Sequence, residues 1–188
     1  LGTDMQATST AKKKWLGLNW QISPNTGWGV LGLNLALQAE LDRRRPPVPL
    51  VPTIYPDWLI SRHGAPLERI LAREKIACEI LKQDKEGRCH CDFPVLHCLG
   101  NWLGTDGAGD PTKRLVGTIN FGIIFFENTQ VSDQARQTSR AFDLILAGST
   151  WNKQVLEKSG IPNVETFLQG VDLALFHPAS HPAPGQGF

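Results

Sequence analysis

The chain has 188 residues, 41% of them hydrophobic and 20% charged, which is the length and composition of one globular domain with a real core. Its formal net charge of +1 excludes an electrostatic case for nucleic acid or a strongly anionic membrane. No apolar run approaches the ~18 residues of a membrane span. The N-terminus has lysines before a short strand, not the long apolar core and cleavage site of a signal peptide. With four cysteines and no secretory signal, the chain reads as a reduced protein of the cytoplasm.

Residues 1–14 are small and polar without periodicity and read as a flexible arm. Residues 15–22 (WLGLNWQI) predict a first, central strand, and 23–29 (SPNTGWG) are loop chemistry. A helix follows from Trp28 to about Arg44, apolar on most sides, as suits a helix packed between a sheet and its neighbours. Pro46 and Pro47 end it. The triplets at 12–14 and 43–45 are the basic runs and read as solvated flanks.

Strand two is expected over 48–55, made short or irregular by Pro49 and Pro52. A helix over 67–83 carries Leu67, Ile70, Leu71, Ala77, Ile80 and Leu81 on one face. After a charged connection, 93–99 predict strand three, 100–112 a glycine-rich loop and 115–126 (LVGTINFGIIFF) strand four. Ser132 can cap a helix through Arg140. Residues 143–147 then form a buried strand, Ser149 or Thr150 caps the next helix, Gly160 stops it, and 163–168 form the last strand.

Sustained strand–helix alternation predicts a doubly wound α/β domain with a mainly parallel, Rossmann-like sheet over 15–178. Residues 179–188 (SHPAPGQGF from Ser180) read as a proline–glycine linker. In such a fold, ligands bind beyond the C-terminal strand ends, where strand order reverses. The usual order puts strands one and four side by side there. The carboxylate of Glu127 then emerges at the crevice floor, directly after Ile123–Phe126. It can hydrogen-bond a hydroxyl, act as a base, or cap the following turn. Asn101, in the loop after strand three, faces the same rim.

Gly27, Gly29 and Gly32 spell the dinucleotide fingerprint G-x-G-x-x-G. Its context is wrong, since residues 23–26 intervene after the strand and no acid stands at the end of strand two, where Leu50 lies. A NAD-linked oxidoreductase is therefore disfavoured. Cys89, His90, Cys91, His97 and Cys98 suggest zinc at a glance. The spacing is not C-x₂-C, and His97 and Cys98 fall in one strand with their side chains on opposite faces, so no metal is expected.

The stretch 142–178 carries a resemblance. FDLILAGSTWNKQVLEKSGI followed by QGVDLALFHP resembles the end of the N-terminal domain of GT-B glycosyltransferases, in particular the family 4-like group. The matching residues are Asp143, Ile145, Ala147, Ser149 and Trp151, then Gly170, Val171, Asp172, Phe176 and Pro178. The resemblance implies the acceptor-side half of an enzyme that transfers a sugar from a nucleotide-sugar donor to an acceptor hydroxyl, with retention. It places the glycine loop of Asn25, Thr26, Gly27, Trp28 and Gly29 on the interdomain cleft. A plain turn that starts a helix accounts for the same residues, and Trp28 is either an acceptor-stacking surface or a lid over the core.

Many relatives carry a histidine where this chain has Glu127. The donor would be held mostly by a C-terminal domain beyond the linker, without a bound cofactor. Relatives use soluble and lipid acceptors, so membrane association stays open. The rival from another class is a non-catalytic Rossmann-like binding module or partner subunit.

Overall fold

The computed structural model describes residues 15–83, 88–105 and 114–171. The arm at 1–14, the loop at 106–113, the exit residues Asp172, Phe176 and Pro178, and the linker at 179–188 lie outside them. Short apolar runs set the strands and polar or proline breaks end them. In chain order the elements are β1 (Leu16–Asn19), α1 (Gly27–Asp42), β2 (Pro47–Pro49), α2 (Asp57–Ala72), α3 (Glu74–Lys82) and β3 (Arg88–His90). Then follow β4 (Val95–Cys98), β5 (Arg114–Val116), β6 (Asn120–Ile124), α4 (Asp133–Ser139), β7 (Leu144–Ala147), α5 (Thr150–Lys158) and β8 (Val164–Thr166).

Six strands form one sheet in the order β2-β1-β4-β6-β7-β8, and every neighbouring pair is parallel. The fold is thus the expected Rossmann-like α/β architecture. All six strands end at one edge of the sheet, which collects the loops that follow β1, β4, β6 and β7. Three apolar clusters hold the layers. One joins Leu18, Leu96 and Ile123 to Leu33, Ala36 and Leu37 of α1 and Leu67 and Ile70 of α2. A second joins Ile124, Ile145 and Ala147 to Ala135 of α4 and Leu156 of α5. A third gathers Val48, Phe93 and Val95 with Ala77 of α3, Cys89 and Leu115 of the small sheet, and Cys91 just past β3.

The strand order corrects one expectation. The run at 115–126 does not lie beside β1; β4 stands between β1 and β6. Order reverses between β1 and β4, so the switch crevice lies between loops 20–26 and 99–105. Local sequence does not encode this, because pairing is chosen by which crossovers can cover both faces of the sheet. The close seating of β1 is visible at Gly17, where a Cβ would stand 2.8 Å from Leu50 and 2.9 Å from Phe93.

The expected strand at 115–126 is two strands. A Cβ at Gly117 would stand 2.7 Å from the Val95 amide nitrogen, and the chain turns there. β5 leaves to pair in parallel with β3 in a separate two-stranded sheet, and β6 joins the main one. Strand two, expected to residue 55, ends at Pro49, because prolines remove ladder donors. The helix expected at 67–83 is α2, starting ten positions earlier at Asp57, and a separate α3. Gly64 breaks the helical path within α2 with φ 53° and ψ −139°, and Pro66 follows in the next turn.

The caps fall as read: Ser132 Oγ accepts from the Ala135 amide, Ser149 Oγ accepts from the Asn152 amide, and Gly160 takes φ 84° past α5. No helix among the described residues is long and apolar enough to cross a membrane.

Candidate functional site

The glycine loop is built by short-range hydrogen bonds. Ser23 Oγ accepts from the Asn25 amide at 3.0 Å, and Thr26 Oγ1 caps α1 by accepting from the Gly29 amide at 3.0 Å. Asn25, Thr26 and Gly27 are exposed, Trp28 is half-buried and Gly29 is buried. The three fingerprint glycines serve packing unequally. A Cβ at Gly29 would collide with the Ser23 carbonyl, and one at Gly32 with the Trp20 indole nitrogen, whereas one at Gly27 meets nothing within 4 Å. Gly29 and Gly32 therefore let α1 lie against β1 and its loop. The end of β2 holds buried Leu50 where a ribose-binding acid would stand.

Trp28 closes that loop onto the sheet edge. Its carbonyl accepts from Trp20 Nε1 at 3.1 Å, and its ring meets Phe125 edge-on at 5.2 Å between centroids. The Phe125 ring in turn lies over Gly148, where a Cβ could not fit. Trp28 is thus a half-buried lid over the core that links the glycine loop to the exits of β6 and β7.

Phe125, Phe126 and Glu127 follow the end of β6, and the two rings go to opposite sides of the sheet. Phe125 packs with the α1-side cluster and Phe126 with the α5-side cluster. Phe126 also meets Trp151 at 5.8 Å. Between the exits of β4, β6 and β7 lies an open pocket of about 310 Å³, lined by Asn101, Phe125, Phe126, Glu127 and Asn152. This size is at the small end for a ligand site.

The pocket brings together Asn101 and Glu127, both exposed, from loops far apart in sequence. It does not include Asn25, Thr26, Gly27, Trp28 or Gly29; that loop reaches it only through the Trp28–Phe125 contact. The turn after Glu127 is capped by its neighbour, since Asn128 Oδ1 accepts from the Gln130 amide at 3.0 Å. The capping role weighed for Glu127 thus falls to Asn128. No hydrogen bond or ion pair to the Glu127 carboxylate is made among the described residues.

Asn152 is the pocket residue that sequence reasoning missed. It is buried, and its Nδ2 donates to the Phe126 carbonyl at 2.7 Å. Its amide is the one that Ser149 caps. It thereby ties the first turn of α5 to the exit of β6, one residue before Glu127. The sequence offered one faint signal, a polar residue in the first turn of a helix that follows a buried strand.

A polar chain runs across three strands, with Asn19 and His97 buried and Asn120 half-buried. Asn120 Oδ1 accepts from the Gly117 amide at 2.8 Å and lies 3.1 Å from His97 Nε2. An oxygen already accepting from an amide can meet that nitrogen only as its acceptor, so Nε2 carries the proton. His97 Nδ1 then accepts from Asn19 Nδ2 at 2.9 Å. Burial pushes the His97 pKa down to about 4, and the bond to Asn120 offsets only part of this. The imidazole is a neutral structural bridge.

Cys89 and Cys91 enter the third cluster, Cys98 the first, and His90 is exposed. Burial raises the Cys91 and Cys98 thiols to about 12, which disfavours the thiolate that a metal or an electrophile requires. Among the described residues no three His, Cys, Asp or Glu side chains are grouped to hold a metal.

The architecture defines the class: a Rossmann-like α/β domain with its candidate site at the C-terminal ends of the central strands. Comparison with protein-family models, with curated proteins and with solved structures finds no match to the chain.

Proposed function

We propose that this domain is the acceptor-binding half of a glycosyltransferase that uses a nucleotide-sugar donor. The observation that carries the reading is the pocket at the exit of β6, where an exposed carboxylate and an amide stand beside two aromatic rings. Carboxylate and amide oxygens accept from sugar hydroxyls, and the rings offer apolar surface to the sugar's C–H face. The strand–helix sequence from Asp143 to Trp151, with Gly170 and Val171 after β8, supports the same reading.

In the proposed transfer, an acceptor hydroxyl lies in the pocket and its oxygen bonds to the anomeric carbon of the donor. The bond from that carbon to the diphosphate oxygen breaks, and the nucleoside diphosphate leaves with the electron pair. Glu127 accepts the hydroxyl's hydrogen bond and is placed to take its proton. Neutralising the leaving diphosphate falls to groups of a second domain.

Saturation-transfer NMR with a panel of mono- and disaccharides and the purified chain tests the binding step. Saccharide signals should be attenuated by the wild-type chain and Kd should rise about tenfold in Glu127→Gln, the loss of one charge-assisted hydrogen bond. If no saccharide binds, or Glu127→Gln binds unchanged, the reading fails.

A further inference from the structure

The chemistry of the pocket narrows the acceptor, on the premise that the site is an acceptor site as proposed above. Glu127 is a formal negative charge at the mouth, exposed, and without a hydrogen bond or ion pair among the described residues. Asn101 and Asn152 add neutral amides, and Phe125 and Phe126 add aromatic walls. The nearest lysine in sequence to Asn152, Lys153, is engaged by Glu165 at 2.8 Å and faces Glu157 at 3.8 Å. Among the residues that line the pocket, Glu127 is the one that carries a charge.

We infer that this pocket selects a neutral polyhydroxylated acceptor, a free saccharide or polyol, and rejects phosphorylated or other anionic ones, with Glu127 as the discriminating residue. A carboxylate accepts hydrogen bonds from hydroxyls but repels a phosphate, whose oxygens are acceptors with nothing to donate. A phosphate monoester carries close to two negative charges at neutral pH. At a separation of a few ångströms in water, repulsion of that size weakens binding by roughly tenfold, less in high salt. Asn152 is the positioning residue: its bond to the Phe126 carbonyl sets the direction in which the chain leaves β6 and presents Glu127.

The test compares one sugar in two charge states. Binding of glucose, maltose, glucose 6-phosphate and maltose 1-phosphate to the intact chain is measured by titration NMR at pH 7.5, in low salt and in 0.5 M NaCl. The expected result is that each neutral sugar binds about tenfold more tightly than its phosphorylated counterpart in low salt. In high salt the gap should shrink. In Glu127→Gln the gap should close to within about twofold, because a neutral amide repels no phosphate. Asn152→Ala should weaken the neutral sugars while leaving the far-UV spectrum unchanged, and should also narrow the gap.

Phosphorylated sugars binding as tightly as the neutral ones, or a gap that persists in Glu127→Gln, overturns the inference and leaves the acceptor-site reading standing. If neither charge state binds, the acceptor-site reading falls and the inference falls with it.

Discussion

At the scale of single residues, the chain separates groups that hold structure from groups free to act. His97 belongs to the first kind. Its folded pKa of about 4 lies below the ordinary 6.5, so between those values the unfolded chain takes up more protons than the folded one. The His97 contribution is therefore fully present above pH 6.5, is lost as pH drops toward 4, and changes no further below it. The loss at stake is on the order of 3 kcal/mol. His63, lowered by burial and by Arg62, acts in the same direction. Urea unfolding at a series of pH values should show the decline, and His97→Gln should show less of it between pH 6.5 and 4 than wild type. Equal slopes in the two proteins would refute the role given to His97.

Glu127 is of the second kind. It is exposed and uncommitted among the described residues, so Glu127→Gln should leave the unfolding free energy from urea titration within the ±0.5 kcal/mol typical of surface changes while altering ligand binding. A marked loss of stability would show that the carboxylate is structural.

At the scale of elements, two contacts decide how the helices seat. The first is the glycine pattern of α1. Gly32→Ala drives a methyl into the Trp20 indole, which is fully buried and donates to the Trp28 carbonyl. Overpacking of this kind costs about 1–3 kcal/mol. Gly27→Ala meets open space at the first turn of α1 and should be neutral, or stabilising by up to about 1 kcal/mol. Thermal melts of the two variants read this directly.

The second contact is the buried Glu40 at the end of α1. Its carboxylate receives Arg69 Nε of α2 at 2.6 Å and Arg73, in the link to α3, at 2.6 Å. Burial pushes the Glu40 carboxyl up, but the hydrogen bonds from Arg73 and Arg69 outweigh it and hold the pKa below the usual range. Arg73 also donates to the Pro47 carbonyl at 3.3 Å, so the cluster ties both helices to the start of β2. Removing one partner of a buried pair strands the other charge, and Glu40→Ala should cost about 3 kcal/mol in denaturant unfolding. A loss below 1 kcal/mol would mean that the arginines find water on their exposed flanks.

At the scale of the whole molecule, one continuous parallel sheet carries all three apolar clusters. The clusters share strands: β4 sends Leu96 and Cys98 to the first and Val95 to the third, and β6 sends Ile123 to the first and Ile124 to the second. Loss of any one layer exposes a face of the shared sheet, so far-UV and near-UV circular dichroism should report a single coincident unfolding transition. The same sheet gathers its exits at one edge, and that is why Asn101, Glu127 and Asn152 meet although they are far apart in the chain.

What the amino-acid order determined by itself is the local part of this protein. Apolar runs, capping hydroxyls at Ser132 and Ser149, and the left-handed glycine at 160 act within a few residues, so the alternation of elements and the α/β class were legible from them. Glu127 and Asn101 were legible as strand-exit polar residues for the same reason. Only the tertiary structure decided that β4 separates β1 from β6, that the run at 115–126 divides at Gly117, and that Trp28 joins the glycine loop to Phe125 at the exit of β6. It also decided that Asn152 faces Phe126 rather than solvent. These are outcomes of long-range packing, in which a side chain's role depends on which distant strand becomes its neighbour, and no local pattern of residues specifies that choice.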